Sequence, residues 1–130
     1  MSHKRASHQL TDELVTEPSE KIVFNSPFLI AQKMQIRATN KGENRVGWIL
    51  KSTNVRRLIV SPNRGTLANG EQVIIDVSCQ PFDYVANKPK TDRVTIEWLD
   101  APEGETEFNK EWFDTSGVTR RKVMPVEYNL

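Results

Sequence analysis

Gln72–Cys79 reads QVIIDVSC, and its period decides the fold. Val73, Ile75, Val77 and Cys79 fall on one side of an extended chain. Successive side chains of a strand point to opposite faces, so this pattern describes a half-buried β-strand. The same period recurs on both sides of it. KMQIRAT sets Met34, Ile36 and Ala38 against Lys33, Gln35, Arg37 and Thr39. VGWIL sets Val46, Trp48 and Leu50 against Gly47 and Ile49. DRVTIEW sets Val94, Ile96 and Trp98 against Arg93, Thr95 and Glu97, and KVMPVEY aligns Met124, Val126 and Tyr128. NKGEN, SPNRG, LANGE, NKPK and DAPEGE separate these runs with turn-forming residues. Short strands at regular spacing predict an all-β, antiparallel sandwich.

Two segments leave alternatives open. Phe108 and Trp112 stand four apart, which suits one helical turn or a bulged strand. Pro125 cannot donate to a ladder, which places the last strand at an edge or at a bulge. Trp48 and Trp98 are core candidates, and Phe82 and Tyr84 in QPFDY are placed to close an end of the sandwich.

The chain has 130 residues, 27% charged and 37% hydrophobic, which suits one domain with a single core. Residues 1–14 are polar and aperiodic and read as a flexible tail, leaving 15–130 as the domain. No apolar run reaches the ~18 residues of a membrane span, and no secretory h-region opens the chain. A single cysteine, Cys79, excludes an internal disulfide framework. The expectation is a cytoplasmic protein without membrane insertion.

The chemistry inventory is sparse. His3 and His8 lie in the tail, where a general base has no fixed position. Cys79 faces inward as a small hydrophobe. Neither a zinc set nor a phosphate-binding glycine motif is present. These features predict a non-enzyme with no cofactor and no metal. A net charge of +1 argues against a nucleic-acid partner. The charge is unevenly spread: residues 21–96 carry a balance of +7 and residues 97–114 a balance of −6. Such asymmetry suits attraction between copies or toward an acidic partner, and it equally suits ordinary solvated faces.

KIVFNSPFLI holds Ile22, Phe24, Phe28 and Leu29 with Lys21 as its one charge. These four residues are candidates for self-association at an outer strand, or for the core of the first long strand. Arg120, Arg121 and Lys122 open the closing strand, where charges discourage unwanted pairing.

KIVFNSP, NRVGWILKSTNVRRLIVSPNRGTL, VSC, DRVTIEW, EWF and RRKVMPVEYN, in that order, resemble the major sperm protein family of nematodes. The resemblance runs from about residue 15 to the C-terminus. It implies a seven-stranded immunoglobulin-like sandwich of the PapD-like type, with cis prolines at Pro18 and Pro62. It also implies symmetric dimers, and filaments that drive sperm crawling without nucleotide, or accessory proteins that bind those filaments. SPFLIAQKMQI is divergent where the family's dimer contact falls. KSTNVRRLIVSPNRG and QPFDY also resemble the vesicle-associated-membrane-protein-associated proteins, which bind acidic diphenylalanine-type peptides. That likeness assigns a basic, partner-binding face to Lys51, Ser52, Thr53, Arg56, Arg57 and Arg93, with Thr95 standing where those receptors place a methionine.

Overall fold

The two-residue period folds into two layers. The computed structural model describes residues 13–89, 91–115 and 118–130. One sheet holds β1 (Leu14–Glu17), β3 (Gln32–Asn40), β7 (Gln72–Cys79) and β5 (Leu58–Ser61), in the spatial order β1-β3-β7-β5. The other holds β2 (Ile22–Asn25), β9 (Arg120–Asn129), β8 (Asp92–Asp100), β4 (Val46–Ser52) and β6 (Arg64–Leu67), in the order β2-β9-β8-β4-β6. Every pairing is antiparallel except that of β2 with β9.

Nine strands stand where seven were expected, and the difference has a local cause. The chain leaves the first sheet after β1 and enters the second as β2, with Pro18 between them. It repeats the change from β5 to β6 at Pro62. Proline has no amide hydrogen for a ladder, so each extended run ends in one layer and resumes in the other. The Glu17–Pro18 and Ser61–Pro62 bonds are cis, as is Ser26–Pro27. Leu14, assigned to the tail by its neighbours, opens β1 and is 2% exposed. The remaining tail residues 1–12 lie outside the described residues.

The alternating residues meet between the layers. Ile36, Ile75 and Val77 face Trp48, Ile96, Trp98 and Met124, and none of the seven exceeds 2% exposure. Burial of one such large side chain contributes about 1.5–3 kcal/mol. β9 runs inside its sheet, which corrects the edge expectation for Pro125. Its ladder with β2 starts only at Val126, however, so Pro125 has no β-strand neighbour on that side.

β4 departs from strict alternation, because Gly47 and Ile49 are buried as well. The cover on the outer face is α1 (Glu111–Thr115). Asn109 accepts a hydrogen bond from the Glu111 amide at 2.9 Å, which starts the helix. Trp112 then lies over Gly47, with Phe108 packed beside it at 6.1 Å between ring centroids. A Cβ on Gly47 would sit 2.8 Å from Trp112 Cε3, closer than packed atoms approach. Gly47→Ala is expected to lift Trp112 and lower stability by about 1–3 kcal/mol, with a red-shifted tryptophan emission; denaturant unfolding followed by fluorescence checks both. An unchanged midpoint and spectrum would contradict this packing.

Candidate interaction surfaces

The loops 26–31, 53–57 and 80–89 gather at one end of the sandwich, because β2, β4 and β7 finish there and β3, β5 and β8 begin there. Phe82 donates its amide to the Phe28 carbonyl at 2.8 Å, tying two of these loops together. Phe28 stacks on Phe82 and Tyr84 at 5.1 and 5.5 Å and meets Tyr128 edge-on at 5.9 Å. Phe82 and Tyr84 thus close the end of the sandwich.

The six residues of the expected basic face divide into two groups. Ser52 Oγ donates to the Leu58 carbonyl at 3.0 Å. Thr53 Oγ1 donates to Asp92 Oδ1 at 3.2 Å and accepts from the Arg93 amide at 2.9 Å. Arg57 turns inward: its guanidinium lies 4.0 Å from the Phe82 ring centroid and 3.7 Å from Asp92 Oδ2. Tyr128 donates its hydroxyl to the same Asp92 oxygen at 2.6 Å. Burial first, and that hydrogen bond second, push the Tyr128 hydroxyl far above its ordinary pKa, so it remains a neutral donor. Ser52, Thr53 and Arg57 therefore hold the loops in place.

Lys51, Arg56 and Arg93 are exposed. Lys51 Nζ lies 3.4 Å from Glu97 Oε1, a surface pair of little energetic weight. Arg56 and Arg93 have no ion pair among the described residues. Lys88 joins Arg56 at the rim of a shallow concavity of about 570 Å³ that also includes Thr53 and Arg57. A larger groove of about 760 Å³ runs along the outer face beside α1, with Ile49, Ile59 and Phe113 among its lining and Lys51 and Arg121 at its margins.

The self-association candidates are mostly internal. Ile22, Phe24 and Phe28 are 0, 1 and 5% exposed and belong to the core, so their side chains form no surface patch. The apolar sequence of that strand reflects its inward face. Leu29 is 74% exposed, and its neighbour Ile30 is 65% exposed. Among the described residues β2 is the outermost strand of its sheet, with no strand on one side of its backbone, where the Asn25 carbonyl accepts from Gln32 Nε2 at 2.7 Å.

Cys79 is 2% exposed, and burial raises its thiol pKa, which keeps it protonated. Among the described residues no group of three His, Cys, Asp or Glu side chains is arranged to hold a metal ion. Arg120 is paired with Glu13 and, at 3.0 Å, with Asp100, so this cation anchors the start of the described chain to β8 and β9. Arg121 alongside it is exposed.

Two packed sheets that exchange strands define an immunoglobulin-like β-sandwich. The family described as the MSP (Major sperm protein) domain matches residues 13–117. Over 119 residues the chain is 44% identical to Major sperm protein isoform alpha of Ascaris suum, covering 91% of this chain and 94% of that protein. Among solved structures, WR4, a C. elegans MSP family member, superposes with a TM-score of 0.67 at 18% identity, over 88% of this chain and 95% of that one. The ASH / PapD-like domain of human CEP192 gives a TM-score of 0.53 at 12% identity, over 89% and 84%. These structures bear on the fold. The chain belongs to the major sperm protein domain family.

Arg57→Ala is expected to cost about 3 kcal/mol, because it leaves Asp92 buried without its cation. Arg56→Ala, on the solvated rim, is expected to stay within about 0.5 kcal/mol. Urea unfolding of the two variants measures the contrast, and equal losses would contradict the division of the cationic residues.

Proposed function

We propose that the protein is a non-enzymatic component of the nematode sperm cytoskeleton, acting in the cytoplasm of the crawling cell. It is either a subunit of major sperm protein filaments or an accessory protein bound to them. The observation that carries this reading is the 44% identity to Major sperm protein isoform alpha, spread across 94% of that protein. The open side of β2 supports it, since an outer strand extends onto another chain through its backbone groups. A two-fold dimer would bring this edge and Leu29 against their own copy. Ile22, Phe24 and Phe28 support that contact from within the core. The uneven charge of residues 21–96 and 97–114 would orient one dimer toward the next, weakly and with salt dependence.

Light scattering and co-sedimentation with major sperm protein filaments test the reading together. A subunit forms a dimer and enters the pellet as filament. An accessory protein stays monomeric and enters the pellet only when filaments are supplied. A protein that remains in the supernatant under both conditions contradicts both forms.

A second reading is favoured by the free cations Arg56 and Arg93 beside Lys51: an adaptor that binds acidic diphenylalanine-type peptides. Calorimetric titration with such a peptide is expected to give binding that the paired charge reversal Lys51→Glu and Arg93→Glu abolishes. No binding by the unaltered protein removes this reading.

A further inference from the structure

The loop end described above carries apolar side chains that the core does not use. Leu29, Ile30, Val55 and Val85 are 74, 65, 74 and 92% exposed. Leu130, at the same end, reaches 81%, whereas Ile59, Ile74, Val118 and Val123 elsewhere lie between 41% and 59%. The most exposed large apolar residues are therefore gathered at one pole of the molecule. They project from three separate loops, and their exposure leaves them open to an outside surface.

Charge follows the same axis. Arg56 and Lys88 are exposed beside Val55, on the rim of one concavity. The one acid within the three loops is Asp83, whose Oδ1 accepts from the Val85 and Ala86 amides at 3.0 and 3.2 Å. Asp92, at the base, is held by Arg57 and Tyr128. The opposite pole is acidic on balance: Glu43, Asp100, Glu103 and Glu105 line the concavity there, against Arg45. A molecule polarised in this way turns its apolar, cationic pole toward a negatively charged plane.

We propose that this pole is a peripheral docking tip for an anionic phospholipid surface. Leu29, Ile30, Val55 and Val85 enter the interfacial layer, and Arg56 and Lys88 meet headgroup phosphates. No helix among the described residues is long and apolar enough to span a bilayer, and contact of this kind requires none. Apolar side chains exposed to this degree, with cations at the same end, suit insertion at an anionic lipid interface.

Vesicle flotation tests the assignment. The full chain is expected to float with vesicles of equal parts phosphatidylcholine and phosphatidylserine, and not with phosphatidylcholine alone. Leu29→Asn with Ile30→Asn is expected to lower partitioning by about tenfold or more. Arg56→Gln with Lys88→Gln is expected to lower it by about 25-fold, at about fivefold for each charge near the surface. These side chains are exposed, so thermal melts of the variants should match that of the unaltered protein. Failure of the unaltered protein to float overturns the proposal. So does flotation that survives the apolar substitutions, which would mark nonspecific attraction between charges. A protein that does not float but whose dimerisation in light scattering is altered by Leu29→Asn with Ile30→Asn overturns it as well, and makes the tip a protein interface. The dimer contact proposed above would cover Leu29, so lipid docking belongs to protein not assembled through that edge; filament co-sedimentation involves no lipid and tests the cytoskeletal reading separately.

Discussion

The contact between the two sheets is the interaction on which the other features depend. Trp48, Ile96 and Trp98 on one layer press against Ile36, Ile75 and Val77 on the other, and all six are closed to solvent. Apolar burial of this kind is non-directional, so by itself it would permit the layers to slide. The strand exchanges after β1 and β5 restrict that freedom, because each ties one sheet covalently to the other. Asn40 adds a polar restraint. Its Nδ2 donates to the Asn44 and Leu67 carbonyls, each at 2.8 Å, while its Oδ1 accepts from the Gly42 amide at 2.9 Å. A side chain so fully buried is tolerated because its polar atoms are satisfied.

With the layers fixed, the two poles of the sandwich take up different chemistry. At one pole the Arg57, Asp92 and Tyr128 cluster closes the loops over a ring of aromatics. This frees Arg56, Arg93 and Lys88 to face solvent. At the other, Arg120 neutralises Glu13 and part of Asp100, and the acidic loop beyond Asp100 stays outside. Cations adjacent in sequence thus take different roles: Arg57 is structural while Arg56 is available, and Arg120 is structural while Arg121 is available.

Much of the fold was legible because a β-layer writes itself as alternation. Val73 to Cys79, Met34 to Ala38 and Val94 to Trp98 all point as their spacing predicts. The strand count was not legible, since a strand that changes sheets at Pro18 or Pro62 has the same local pattern as one that continues. Of the two alternatives at Phe108 and Trp112, the helical turn is the one that forms, but its cover on Gly47 was not legible, because a five-residue helix has too few residues to display a period. At the candidate surface, sequence located the cationic stretch but not the inward turn of Arg57, which depends on Asp92 and Tyr128 far along the chain. Ile22 and Phe24 look alike whether they face a core or a partner, and only the pairing of β2 with β9 decides between the two. Ile30, Val55 and Val85 are single apolar residues in loops and carry no periodic signal.

Hydrogen–deuterium exchange of the protein, alone and mixed with major sperm protein filaments, tests most directly whether function resides in an outer strand edge and its adjoining loop. The account predicts that added protection concentrates in residues 22–31, the β2 edge and the loop that follows it. Protection centred on the acidic loop and α1, or no change anywhere, would contradict it.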